Sequence, residues 1–214
     1  MKASARQSYE EKTLFLGKFC AGLGLTPNSL TVSGVVAALI SGILIWNHYF
    51  VAALFFMLAS GLFDILDGAT ARFTRTSSAF GTVLDRVCDR YAEFFIAAGC
   101  AGSGRVHPVW VLFSLFGALM ASYVRACAES AGRVKNCSVG LMERKEKAVL
   151  FAIGVLLEPL LNPRGLPADS LNPLAHAPSE GILVLQLAVI LVGILSHITV
   201  YQRSDFARTH ADGG

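Results

Sequence analysis

Asp64-Ile65-Leu66-Asp67-Gly68-Ala69-Thr70-Ala71-Arg72 and, after eight further residues, Gly81-Thr82-Val83-Leu84-Asp85-Arg86-Val87-Cys88-Asp89 carry four of the chain's seven aspartates within 26 residues. Apolar runs border both segments. Spacings of three (Asp64, Asp67) and four (Asp85, Asp89) put each pair on one face of a helix, a turn apart. The short connection makes the two helices antiparallel neighbours. A carboxylate at mid-bilayer costs about 2.5 to 3.5 kcal/mol on insertion scales, and mutual repulsion adds to that. Four together therefore require a strong compensating charge.

Outward from this stretch the chain is too apolar for a soluble domain. Of its 214 residues 54% are hydrophobic and 15% charged, and the charges cluster between long apolar runs as membrane boundaries do. A net charge of +3 without a dense basic face excludes a nucleic-acid partner. Cys20, Cys88, Cys100, Cys127 and Cys137 are scattered, with no metal-ligand spacing, and read as small buried hydrophobes. The first apolar stretch is short, is interrupted by Lys18 and lacks a small-residue cleavage site, so no cleaved signal peptide is expected.

A helix crossing the hydrocarbon core needs about 20 mostly apolar residues. Six runs qualify, at 31–46, 50–72, 80–102, 109–129, 147–161 and 181–201. Ahead of them, 10–22 mixes Leu14, Phe15 and Phe19 with Glu10, Glu11, Lys12 and Lys18, the composition of an interfacial amphipathic helix. The expected fold is all-α and integral to the membrane. One domain fills 1–214, with a juxtamembrane helix at 8–24 and a six-helix transmembrane bundle at 31–203. Basic residues gather before the first run (Lys2, Arg6, Lys12, Lys18), after the second (Arg72, Arg75), after the fourth (Arg133, Lys135, Arg144, Lys145) and after the sixth (Arg203, Arg208). Both termini and these loops are therefore placed in the cytoplasm, and the aspartates with them. The segment 162–178, broken by Pro163, Pro167, Pro173 and Pro178, reads as an irregular external connection.

Arg72, Arg75, Arg86 and Arg90 answer part of the acidic charge, but Arg86 and Arg90 follow directly on Asp85 and Asp89 and project from rotated positions. A divalent cation is the better neutraliser. Oxygen-only ligation suits Mg²⁺ or Mn²⁺, whereas zinc favours the Cys and His that the segment does not offer. Two ions about 3.5 to 4 Å apart would steady the entering and leaving oxygens of an in-line displacement, which points to phosphoryl-type transfer. Gly68, Ala71 and Gly81 leave room for a polar ligand against the backbone, and Arg72 is placed to hold a phosphate. Without the aspartates, the same small residues would read as close helix packing.

Taken as one string, Asp64-x2-Asp67-Gly68-x2-Ala71-Arg72-x8-Gly81-x3-Asp85-x3-Asp89 resembles the signature of the CDP-alcohol phosphatidyltransferases, with every fixed position filled. The resemblance implies that Asp64, Asp67, Asp85 and Asp89 hold two metal ions and the pyrophosphate of a CDP-lipid, with Asp89 also the general base. It implies that Gly68, Ala71, Arg72 and Gly81 line the CDP pocket, and that an acceptor hydroxyl displaces CMP. Upstream, Leu25-Thr26-Pro27-Asn28-Ser29-Leu30-Thr31 resembles the family's lead into its first span, where Asn28 and Thr31 approach the nucleotide. A helix cap at Thr26 or Asn28 is the alternative.

Ser122-Tyr123-Val124-Arg125-Ala126-Cys127-Ala128-Glu129 and Met142-Glu143-Arg144-Lys145-Glu146-Lys147 resemble the phosphatidylinositol-phosphate and archaetidylinositol-phosphate synthase branch. By that resemblance Ser122, Arg125, Arg144, Lys147 and Arg203, together with Arg75, bind an inositol phosphate acceptor. Several cations converging on a phosphate is the physical sense of such a set. Cys127 stands where a basic residue is expected and Lys147 where an Arg is, and a Lys does not reproduce Arg's bidentate grip. Glycerol 3-phosphate is the alternative acceptor, and ordinary positive-inside charge the alternative reading of the basic residues. A divalent-cation carrier would also place acidic residues in spans, but it has no need of Gly68, Ala71, Arg72 and Gly81. The family also implies a symmetric homodimer.

Overall fold

The computed structural model describes residues 3–132, 134, 137–162 and 184–211. Seven helices are present among them: α1 (Ala3–Gly22), α2 (Pro27–Trp46), α3 (Phe50–Thr74), α4 (Ala79–Gly102), α5 (Pro108–Ser130), α6 (Arg144–Leu161) and α7 (Val184–His210). No strand occurs among the described residues, so the all-α expectation holds. The external connection expected at 162–178 lies, apart from Asn162, outside them, as does the expected start of the last run at 181.

Helix ends follow local chemistry more than hydropathy. Thr26 N-caps α2 through a reciprocal pair, Ser29 N–H to Thr26 Oγ1 at 3.2 Å and Thr26 N–H to Ser29 Oγ at 3.1 Å, with Pro27 in the first helical position. The helix therefore starts ahead of the apolar run. At its far end α3 runs past Arg72 to Thr74 and stops in a Schellman turn. Arg75 N–H reaches Arg72 O at 3.4 Å and Thr76 N–H reaches Ala71 O at 3.1 Å. Arg75 takes φ 55 there, a left-handed position usually given to Gly. Ser78 caps α4 by accepting from Gly81 N–H at 2.9 Å. The α3–α4 turn is thus only four residues long, and the two acidic segments run antiparallel.

Four helices, α2, α3, α5 and α7, are long and apolar enough to cross a membrane. Their outward faces are those of lipid-solvated helices. On α3 Val51, Phe55, Leu58, Leu62 and Ile65 form an exposed stripe at helical spacing, while Ala53, Met57 and Ser60 face inward. In water such a stripe would be an aggregation surface; in hydrocarbon it is the lipid face. The other two expected spans do not meet the same standard. Asp85, Arg86, Asp89, Arg90 and Glu93 lower the hydropathy of α4, and Arg144 to Lys147 with Glu158 lower that of α6. The helix expected at 8–24 corresponds to α1, which starts earlier and ends at Gly22; its Thr13, Gly17 and Cys20 point inward while Phe15 and Phe19 are exposed.

The chain forms two compact units, one of Met1–Leu44 with Ala52–Ile96 and one of Ile45–Val51 with Ala97–Gly214. In the first, small residues bring helices to backbone contact. A Cβ on Gly17 would collide with the Ala69 carbonyl, and one on Gly42 with the Phe95 carbonyl. In the second, Gly193 of α7 passes Ser114 of α5 closely, a Cβ there lying 3.1 Å from the Ser114 Cα. A buried ion pair also belongs to this unit. Arg105 Nη1 lies 3.2 Å from Glu158 Oε1, and Glu158 Oε2 accepts from Leu185 N–H at 2.9 Å, at the start of α7. Cys20, Cys100 and Cys137 are buried and Cys88 and Cys127 half-buried, all as free thiols.

Candidate active site

Three helices of the first unit build the acidic site. From α3 come Asp64 and Asp67, and from α4 comes Asp85. One carboxylate oxygen of each lies within 4.8 Å of the others. Asp67 is buried, while Asp64 and Asp85 are half-buried. Thr31 on α2 completes the arrangement. Its Oγ1 stands 2.6 Å from Asp67 Oδ2 and 3.0 Å from Pro27 O. The shorter contact is in the range of an O–H···O⁻ bond, so the hydroxyl proton goes to Asp67. Thr31 was expected at the nucleotide; an orienting bond to a carboxylate is visible only once the helices pack.

Asp89 stands one turn beyond Asp85 on α4, outside the three-oxygen group, with Oδ2 3.8 Å from Arg90 Nη2. Arg90 in turn holds Glu93 at 2.8 Å, so its charge is shared along its own helix face. Gly81 occupies the third position of α4. A Cβ there would lie 3.2 Å from Ser78 Oγ and 3.8 Å from Asn28 Oδ1, which puts Asn28 at the mouth of α4. The N-terminal N–H groups of such a helix favour an anion. A Cβ on Gly68 would lie 3.2 Å from Arg72 Nη1, so the missing side chain gives the guanidinium room to fold back over α3. Arg72 Nη2 also lies 3.4 Å from Thr13 Oγ1 on α1, a partner that nothing in the sequence pattern signals. Ala71 is half-buried one residue before it.

The donor set is oxygen only, converges from two helices and has one member oriented by a hydroxyl. That is the chemistry of a hard divalent cation, and the residues fit Mg²⁺ or Mn²⁺.

Of the residues expected at the acceptor, Arg75 ends α3, and the rest belong to the second unit. Arg125 Nε pairs with Glu129 Oε1 at 2.9 Å on α5. Ser122 donates to Ala118 O at 3.2 Å. Arg144 opens α6, and Lys147 is buried one turn further on. Arg203 on α7 is buried too, with Nε donating to Val139 O at 2.8 Å and Nη1 to Ala121 O at 2.7 Å. Sequence reasoning missed Thr199 and Gln202, whose side chains meet the backbone of the α5–α6 connection. Burial pushes the nearby Cys137 thiol up, so it stays neutral.

The chain is similar to known proteins over most of its length. Residues 24–199 match the family model described as CDP-alcohol phosphatidyltransferase. The chain is 29% identical over 214 residues to an archaetidylinositol phosphate synthase of Pyrococcus horikoshii, covering 100% of each. It is 31% identical over 217 residues to a phosphatidylinositol phosphate synthase of Mycolicibacterium smegmatis, covering 95% of this chain and 87% of that one. In three dimensions it is similar to the phosphatidylinositol phosphate synthase of Mycobacterium tuberculosis solved with CDP-DAG bound. The TM-score is 0.74 at 25% identity, over 94% of this chain and 95% of that one. The same enzyme solved with manganese and citrate gives a TM-score of 0.74 at 25% identity, over 94% and 90%. The chain belongs to the CDP-alcohol phosphatidyltransferase family and is a membrane enzyme of phospholipid synthesis.

Proposed function

We propose that this enzyme transfers the lipid phosphate of a CDP-activated lipid to a hydroxyl of inositol phosphate and releases CMP. The observation that carries the reading is the convergence of Asp64, Asp67 and Asp85 oxygens within 4.8 Å, between α3, which is long and apolar enough to cross a membrane, and its charged neighbour α4. The names of the two relatives above support inositol phosphate as the acceptor. Family membership favours the enzyme over the cation carrier.

In this reading Asp64, Asp67, Asp85 and Asp89 would hold two Mg²⁺ or Mn²⁺ ions, which when bound would neutralise charge and polarise a pyrophosphate. Manganese in the mycobacterial relative supports a divalent metal. Asn28, Thr31, Gly68, Ala71, Arg72 and Gly81 receive the CDP end of the lipid, with Arg72 placed for a phosphate by the space over Gly68. Asp89 accepts the proton of the acceptor hydroxyl as its oxygen bonds the lipid-side phosphorus. The bond from that phosphorus to the bridging oxygen breaks, and CMP leaves with the electron pair. Arg75, Ser122, Arg125, Arg144 and Lys147 bind the phosphorylated acceptor. Arg203 contributes through Nη2, since Nε and Nη1 serve backbone carbonyls.

The same reading takes α2 to α7 as six spans, α1 as an interfacial helix, the whole as one catalytic domain and the aspartates as facing the cytoplasm. Charged α4 and α6 each also turn apolar residues outward, among them Val83, Val87 and Tyr91 on α4 and Val149, Ile153 and Leu156 on α6. A symmetric homodimer belongs to it by family resemblance, and light scattering in detergent would check that. CMP release from purified protein, measured with inositol phosphate, glycerol 3-phosphate, inositol and serine, tests the acceptor. Inositol phosphate is expected to give the highest kcat/KM; release with serine alone would refute the proposal.

A further inference from the structure

The stretch leading into α6 is irregular, and its backbone groups must find partners. Among the described residues they find them on one face of α7. Met142 N–H donates to Thr199 Oγ1 at 3.0 Å, Leu141 N–H to Gln202 Oε1 at 3.0 Å, and Arg203 Nε to Val139 O at 2.8 Å. Thr199, Gln202 and Arg203 are spaced i, i+3, i+4, so they form one strip along the helix. Gly140 sits in the middle of the fastened segment at φ 125, where L side chains are strained. A Cβ on it would collide with Thr199 Cγ2, so the absence of a side chain sets how closely the segment lies on α7.

Two residues beyond Met142 stands Arg144, and one turn later Lys147. The N-cap of α6, Glu143, makes no side-chain capping bond to fix where the helix begins. Thr199 is fully buried, and its hydroxyl also donates to Leu195 O at 2.9 Å, so its orientation is locked from within α7. The start of α6 is therefore set from α7, through backbone bonds to residues 139–142.

We propose that Thr199 and Gly140 are positioning residues for the acceptor: the Thr199–Gln202–Arg203 strip clamps Val139 to Met142 and so holds Arg144 and Lys147 in register for a phosphorylated alcohol. This rests on the reading that Arg144 and Lys147 bind that acceptor. Neither Thr199 nor Gly140 touches substrate. Both act through the backbone, where a displacement of about 1 Å is enough to change rates on the order of 100-fold.

The test is a two-substrate steady-state analysis of Thr199→Val, Thr199→Ser, Gly140→Ala and the Gly140→Ala/Thr199→Ser double variant. Thr199→Val keeps the shape and loses the acceptor oxygen for Met142 N–H. It should raise the KM for inositol phosphate roughly tenfold or more while the KM for CDP-lipid stays unchanged. Thr199→Ser should stay near the unaltered enzyme. Gly140→Ala should show the same one-sided rise, and adding Thr199→Ser, which removes the colliding Cγ2, should recover part of it. Equal changes in both KM values for Thr199→Val, or a Thr199→Ser enzyme as impaired toward the acceptor as Thr199→Val, would overturn the proposal. If the unaltered enzyme takes another acceptor, the acceptor assignment above fails. The split is then read on that acceptor, where a selective rise supports the clamp and an equal change overturns it.

Discussion

Thr31 donates its hydroxyl proton to Asp67 Oδ2 across 2.6 Å, tying α2 to α3 at the most buried carboxylate of the acidic group. The bond orients the carboxylate. Hydrogen bonds to a charged group contribute about 1.5 to 3 kcal/mol, and loss of a partner that orients a ligand weakens metal binding roughly 10- to 100-fold. Thr31→Val should therefore lower manganese affinity by that range in a spectroscopic titration, and Thr31→Ser should restore it.

Asp89 has a second task in this account besides its share in holding metal, and its variant should behave differently. Asp89→Asn removes the proposed base while keeping side-chain size, so CMP formation should cease while CDP-lipid binding stays measurable by calorimetry. Full retained turnover would remove Asp89 from that role.

Arg75 occupies a left-handed position at the end of α3, φ 55, where a non-glycine residue costs about 1 to 2 kcal/mol. Arg75→Gly should relieve that strain and hold or raise the thermal midpoint in detergent. It should also raise the KM for a phosphorylated acceptor, because a cation is gone. A side chain whose removal stabilises the protein and impairs turnover is one kept for chemistry.

The buried Arg105–Glu158 pair predicts a purely structural effect. Glu158 is fully buried and bonded to Arg105 and to Leu185 N–H, so removing it strands a buried cation and a helix-terminal donor. Breaking one side of such a pair costs about 3 to 5 kcal/mol. Glu158→Ala should unfold at a clearly lower temperature, with both KM values unchanged in the enzyme that remains folded.

Much of the acidic site was legible because its spacing is helical and its residues are local. Asp64, Asp67 and Asp85 lie within two adjacent helices, and a four-residue turn brings them together. The seven helices among the described residues match the six apolar runs and the helix ahead of them, but only α2, α3, α5 and α7 are long and apolar enough to cross a membrane. Helix ends were less legible: Pro27, Thr74 and His210 lie beyond the apolar runs because caps, a Schellman turn and the Asp205–Arg208 pair carry the helices into polar sequence. Partners distant in sequence were not legible. Thr31 to Asp67, Arg105 to Glu158 and Thr199 to Met142 span 36, 53 and 57 residues, and only packing discloses them. The family resemblance made Arg203 an acceptor ligand, while the fold gives two of its nitrogens to carbonyls.

The account stands on hard-cation chemistry at the Asp64, Asp67 and Asp85 oxygens, and the most direct measurement is CMP release against divalent metal concentration. Protein stripped with chelator and supplied with CDP-lipid and inositol phosphate should form no CMP. Magnesium or manganese should restore formation, and Asp67→Asn should shift the metal dependence to higher concentration or abolish turnover. CMP formed at full rate without divalent metal would contradict the account.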